Sequence, residues 1–233
     1  MLNPPQILAE RLGKVRNRLA MACEVAGRSA DCVTLLAVSK GHPAEAVQAV
    51  SRLGVQDFGE SYLQEALPKI AVLRGLELTW HYIGQIQTNK TRQIAEQFSW
   101  VHTIDRLKTL ERLSAQRPLH MPPLQICLQV QLAAEAGKGG ASPADVLALA
   151  QATQQLPRLA LRGLMCIPPP ETAVMRQRHW FTTLAQLADT LRADGVAIDT
   201  LSMGMSDDLE AAIACGSTLI RIGTAIFGPR DAA

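Results

Sequence analysis

A chain of 233 residues with 48% hydrophobic content can bury one large core, at the size where α/β barrels occur as single domains. Its formal charge of +2 is spread along the sequence without a long basic run, which argues against a polyanion groove and against nucleic acid as a partner. Five cysteines, odd in number and without a C-x-x-C pair, argue against a disulfide framework or a zinc cluster and fit a reducing cytoplasm.

The N-terminus lacks a basic stretch followed by an apolar one, so no secretory signal is expected. No segment is apolar enough to predict a bilayer span. Over residues 5–26, Ile7, Leu8, Leu12, Val15, Leu19 and Ala22 recur at helical spacing, which predicts an amphipathic leading helix. Eight short β-rich runs follow, at 33–38, 55–58, 79–83, 100–103, 124–131, 161–165, 200–203 and 218–222. Between them, segments at 43–52, 106–115, 143–155, 176–191 and 208–214 carry apolar residues every three or four positions and predict helices. Strand–helix alternation requires parallel strands joined by crossovers, and eight units after one leading helix match a closed barrel better than an open sheet. The expectation is α/β: a single (β/α)8 TIM barrel with a leading N-terminal helix, one domain over residues 1–233. A six-stranded Rossmann sheet loses most of its support because neither G-x-G-x-x-G after a strand nor G-x-x-x-x-G-K-[ST] occurs. Gly137-Lys138-Gly139-Gly140 reads as a mobile loop after the fifth strand.

In such a barrel the active site lies at the carboxyl ends of the strands. Strand one ends in Ser39-Lys40-Gly41, and barrel closure sets strand eight beside it, carrying Arg221 inside an otherwise apolar run. A buried cation needs a partner, either a salt bridge across the barrel mouth or a ligand. The loops after strands seven and eight, the usual phosphate site of these barrels, hold Met203-Gly204-Met205-Ser206-Asp207-Asp208 and Gly223-Thr224. Asp207 with Glu210 also has the spacing of a helix capping box, which could account for one of the two loops by itself. A lysine able to lose its proton, an arginine that depresses its pKa and a phosphate cradle suit an imine with a phosphorylated aldehyde, of which pyridoxal 5′-phosphate (PLP) is the common one. The alternative from the same features is a class I aldolase on a sugar phosphate, which needs a second acid or base. Asp105 and His102 lie near the end of strand four, but His81 and His102 read as structural.

At this point the residues show a resemblance. Ala37-Val38-Ser39-Lys40, Phe58-Gly59-Glu60, Trp80-His81, Ile83-Gly84, Asn89-Lys90, His102-Thr103-Ile104-Asp105 and Leu161-Arg162-Gly163-Leu164-Met165 are similar to the PLP homeostasis proteins, also called the proline synthetase co-transcribed family. The most specific match runs from Leu201-Ser202-Met203-Gly204-Met205-Ser206-Asp207-Asp208 to Arg221-Ile222-Gly223-Thr224-Ala225-Ile226-Phe227-Gly228. The resemblance implies a barrel of the alanine racemase N-terminal type in which Lys40 carries PLP and Arg221 faces the pyridine nitrogen. Ser206, Gly223 and Thr224 would hold the phosphate, with Met203 and Ser61 counted among the cofactor contacts; Ser61 stands where the family often has Asn, and Gln85 where Pro is common. It also implies a monomer that buffers PLP and delivers it to PLP-dependent apoenzymes without a catalytic reaction of its own. Two features point the same way. The chain ends about five residues after the last barrel motif, so a racemase β-domain is not expected, and Tyr62 and Tyr82 read as structural, which leaves no second base opposite Lys40.

Overall fold

The computed structural model describes residues 5–133 and 139–229. Gly137 and Lys138 of the expected loop lie outside the described residues. The leading helix α1 (Pro5–Val25) precedes β1 (Thr34–Val38), α2 (Ala44–Ser51), β2 (Asp57–Glu60), α3 (Leu63–Val72), β3 (Thr79–Tyr82), α4 (Thr91–Gln97) and β4 (Trp100–Ile104). The second half runs α5 (Leu107–Gln116), β5 (Leu124–Gln129), α6 (Pro143–Gln154), β6 (Leu159–Met165), α7 (Val174–Ala193), β7 (Thr200–Ser202), α8 (Leu209–Ala214), β8 (Leu219–Ile222) and the short α9 (Thr224–Phe227). The eight strands close into one parallel barrel, with β1 paired to β2 on one side and to β8 on the other.

All eight expected strands are present within a few residues of their expected bounds. Three helices escaped the periodicity reading, one of them the four-residue α9, which is too short to show a period. In α3, Leu63, Ala66 and Ile70 form the buried stripe, but Pro68 sits inside the helix, where it removes one backbone donor and masks the pattern. In α4 only seven residues form the helix, and its apolar face is reduced to Ile94 and Ala95. Helix α1 buries Leu8, Leu12, Val15, Leu19, Ala22 and Cys23, and lays that stripe on α2, α8 and α9. It therefore closes the outside of the barrel beside the β1–β8 seam.

The apolar core occupies the layer between strands and helices, where Phe58, Phe98, Phe181 and Phe227 are fully buried. The lumen has different contents. A hydrogen bond from His102 on β4 to Ser202 on β7 spans 2.8 Å while β5 and β6 lie between those strands in the barrel order, so both side chains point into the lumen. Arg221 on β8 bonds to the same serine hydroxyl at 3.0 Å and is therefore a lumen residue as well.

Candidate active site at the carboxyl ends of the strands

Two residues past β1, Lys40 stands on a backbone that is held from both sides. Ser39 N–H donates to Gly59 O at 3.0 Å, Ser39 O accepts from Lys69 Nζ at 2.8 Å, and Gly41 N–H donates to Glu65 Oε2 at 2.8 Å. The Ser39 hydroxyl donates to Glu60 Oε1 at 2.6 Å, and Lys69 Nζ reaches the same oxygen at 2.7 Å. Burial pushes the Glu60 carboxyl upward, while the Lys69 charge and these two hydrogen bonds pull it back. Ser39, Glu60 and Lys69 are all buried, so the segment carrying Lys40 is anchored to β2 and α3 rather than left as a free loop.

A cavity of about 620 Å³ opens at this end of the barrel. Five of the seven expected residues line it: Lys40, Ser206, Arg221, Gly223 and Thr224, with Val38, Ile83, Met165 and Met205 as apolar walls. The β1–β8 register explains part of the convergence: Leu36 pairs with Arg221 and Ala37 with Ile222, so the next inward positions are Val38 and Gly223. A Cβ on Gly223 would stand 3.5 Å from Val38 Cβ and fill part of the cavity floor. Gly204 holds the preceding loop in a turn with φ of +97, a conformation glycine adopts without strain, and a Cβ there would lie 2.6 Å from Ala212 Cβ. The side-chain hydroxyls of Ser206 and Thr224 have no hydrogen-bond partner among the described residues.

The other two expected contacts fall elsewhere. Met203 is fully buried: Ser202 faces the lumen, and the next residue along the strand direction turns outward into the apolar shell. Met205, two residues on, takes the place at the cavity wall. Ser61 lines a neighbouring cavity of about 230 Å³ with Tyr62, Tyr82, Gln85 and Lys90. Its carbonyl packs so closely against Gly84 that a Cβ there would lie 2.0 Å away, and Ile83 forms the rim of the Lys40 cavity instead.

The capping box expected of Asp207 and Glu210 does not form. Asp208, not Asp207, stands just before helix α8, and its carboxylate accepts from Met205 N–H, while Glu210 pairs with Arg18. Arg18 is the residue that sequence reading missed. It rises from α1, donates Nε to Glu210 Oε1 at 2.8 Å and Nη2 to Ser206 O at 2.9 Å, and lines the Lys40 cavity. These bonds, with Nη2 also on Glu210 Oε2 at 2.9 Å, do not use Nη1. No local signal marks Arg18, since its partner Ser206 lies 188 positions away in the chain.

Arg221 is 5% exposed and, among the described residues, has no carboxylate at ion-pair distance, so the salt bridge that would have made it merely structural is absent. Its Nη1 donates to Ser202 O at 2.6 Å and to Ser202 Oγ at 3.0 Å, and Nη2 donates to Cys166 O at 2.9 Å. Burial lowers its pKa from the usual arginine value. His81 and His102, expected to be structural, form a buried pair beneath Arg221 with His81 Nδ1 and His102 Nε2 2.9 Å apart. Burial holds His81 below the ordinary imidazole range and His102 well below it, the latter with help from His81 and the Arg221 charge. Asp105 does not enter the Lys40 cavity. It lines an adjoining cavity of about 330 Å³, where it pairs with Arg106 at 3.1 Å, so the acid required of an aldolase is not presented to Lys40.

Comparison with known proteins identifies the family. Residues 11–231 match the model of the alanine racemase N-terminal domain. The pyridoxal phosphate homeostasis protein of Pseudomonas aeruginosa is 55% identical over 96% of both chains, and that of Escherichia coli K12 is 48% identical over 96% of this chain and 97% of its own. The chain belongs to the pyridoxal phosphate homeostasis protein family. Among solved structures, PipY of Synechococcus elongatus PCC7942, solved with PLP bound, superposes with a TM-score of 0.83 at 37% identity, covering 95% of this chain and 100% of that one. Alanine racemase of Clostridium difficile 630, with a TM-score of 0.75 at 13% identity, shares the barrel fold.

Proposed function

We propose that this homeostasis protein binds PLP at the barrel mouth through a covalent bond to Lys40 Nζ and carries it without turning over amino acids. The observation that carries the reading is the meeting of Lys40, Arg221, Ser206 and Thr224 around one cavity of about 620 Å³, a volume in the usual range for small-molecule sites. The donor set fits the ligand. Two hydroxyls without a hydrogen-bond partner among the described residues face the phosphate end, and Arg18 adds a cation there whose bonds to the described residues leave Nη1 unused. At the ring end stands Arg221, a guanidinium held by carbonyls and a hydroxyl rather than by a carboxylate. PLP, when bound, supplies an aldehyde for the lysine and an electron-withdrawing ring. Arg221 can only donate to the ring nitrogen and so leaves it unprotonated, which weakens that ring as an electron sink.

Support for carriage over catalysis comes from the cavity wall. Racemisation needs proton donors on both faces of the bound group, and Lys40 serves one. Among the described residues that line the cavity there is no Tyr, His or Cys, and the single carboxylate is the exposed Asp207. Tyr82 donates its hydroxyl to Gln85 O at 3.1 Å and is pushed up to about 12 by burial, while Tyr62 lines the neighbouring cavity. Release to PLP-dependent apoenzymes by a cytoplasmic monomer completes the reading. The test is to load the protein with PLP, follow its visible absorbance, and then present a panel of L-amino acids while recording α-proton exchange, D-isomer and CO₂. A visible band that Lys40→Ala abolishes, with turnover far below the enzyme median of about ten per second, is expected. Sustained turnover above about one per second that depends on Lys40 would establish a PLP enzyme instead.

A further inference from the structure

The lumen of a (β/α)8 barrel is ordinarily filled by layers of branched apolar side chains. Here a line of polar groups passes through it. Asp57 Oδ1 lies 2.9 Å from His81 Nε2, His81 Nδ1 lies 2.9 Å from His102 Nε2, His102 Nδ1 lies 2.8 Å from Ser202 Oγ, and Ser202 Oγ lies 3.0 Å from Arg221 Nη1. His81, His102 and Ser202 are at most 1% exposed, so bulk solvent does not reach any of them. None of the three lines the Lys40 cavity. Three buried polar residues that neither pack the shell nor touch the cavity need another reason to be there.

Hydrogen counting gives the chain a direction. The Asp57 carboxylate only accepts, so His81 donates from Nε2 and, being neutral, keeps a lone pair on Nδ1. His102 must then donate from Nε2 and keep a lone pair on Nδ1, which obliges the Ser202 hydroxyl to donate to it. The hydroxyl oxygen is left to accept from Arg221 Nη1, which can only donate. Every bond thus runs one way, from Arg221 at the cavity to Asp57 at the start of β2. The groups facing this line are Cys127, Cys166 and Asp208 around Arg221, and Trp100, stacked on His81 at 5.3 Å with Arg162 over its ring.

We infer that Ser202, His102 and His81 are positioning residues for Arg221. The one-way chain fixes the guanidinium in its aim toward the cavity and answers its charge with neutral acceptors, so that the cation remains available to a ligand. The part of this inference that concerns ligand chemistry rests on the PLP reading, with Arg221 facing the ring nitrogen. The chain itself does not, which allows the two to fail separately. The test uses the full-length protein, first without PLP. Two-bond ¹H–¹⁵N spectra should show both imidazoles protonated on Nε2 and bare on Nδ1, and Arg221 N–H signals should exchange slowly. Ser202→Ala should speed that exchange about tenfold, as expected for losing one hydrogen bond from a charged donor, and Ser202→Thr should restore it. Asp57→Asn, at the far end of the lumen, replaces an acceptor-only group with one that can accept or donate, so the direction is no longer imposed and a mixture of tautomers should appear at His102. With PLP added, Ser202→Ala should move the visible band from the wild-type maximum and Ser202→Thr should return it. His102 protonated on Nδ1 in the wild-type protein, or Arg221 exchange within twofold of wild type in Ser202→Ala, would overturn the inference. An unmoved band beside a loosened Arg221 would overturn its link to the ligand. A wild-type protein that forms no visible band with PLP would sink the PLP reading while the spectra without PLP still decide the chain.

Discussion

The shell between strands and helices and the lumen inside the strands are both buried from bulk solvent, yet they hold opposite chemistry. In the shell, Phe58, Phe98, Phe181 and Ile94 pack with essentially no exposure. In the lumen, His81, His102, Ser202 and Arg221 are as deeply buried and satisfy one another through hydrogen bonds. The shell stabilises the barrel by removing apolar surface from water. The lumen costs desolvation and returns it as a held cation beneath the cavity. One layer makes the fold, and the other equips its mouth.

Substitutions in the two regions should therefore separate. Truncation of Phe181 to alanine, in the middle of α7, should lower unfolding free energy by about 3–5 kcal/mol in chemical denaturation, without changing the ratio of PLP to pyridoxal affinity. A ratio that shifts with this shell variant would blur the division. At the mouth the pattern should reverse. Ser206→Ala with Thr224→Val should weaken PLP by roughly 1.5–3 kcal/mol per hydroxyl and leave pyridoxal binding nearly unchanged, because only PLP brings a charged oxygen to them. Equal losses for both ligands would move the phosphate away from these loops.

The periodicity of apolar residues carried the shell into the sequence, which is why eight strands and the α1 stripe were legible. Pro68 and the shortness of α4 broke that rhythm and hid two helices. Lys40 and Arg221 were legible because barrel closure sets β1 beside β8, and Ser206 and Thr224 because loops after the last strands are where phosphates bind. Met203 was misplaced by one step of strand alternation, and Ser61 by the close approach of its carbonyl to Gly84. Arg18 and the His102–Ser202 bond were not legible at all. Each joins residues at least 100 positions apart, and nothing local in either segment announces the other.

The lumen also makes a pH statement. Both imidazoles have folded values below the ordinary range, so the unfolded chain binds more protons below about 6.5, and stability should fall as pH drops from 7 toward 5. The slope is up to about 1.4 kcal/mol per pH unit for each imidazole. Glu60, raised by burial, works in the opposite sense: its contribution is present at low pH and is lost as pH rises through its folded value. The His102 share is therefore the difference between the natural chain and His102→Phe, measured by denaturant unfolding at pH 5.0 and 7.5. Identical slopes in the two proteins would mean that the lumen does not exclude protons. A smaller effect is expected for Arg18→Gln, which leaves the barrel intact but removes a cation from the phosphate end. PLP affinity should drop by about 1 kcal/mol, and its sensitivity to added salt should decrease.

The most direct measurement is borohydride reduction of the PLP-loaded protein followed by peptide mapping. The mass of the reduced adduct should fall on the peptide containing Lys40, in a stoichiometry near one, and Lys40→Ala should carry none at that site. Label found mainly on Lys90, on Lys69 or spread over surface lysines, with Lys40 unmodified, would contradict the assignment of the barrel mouth as the PLP site.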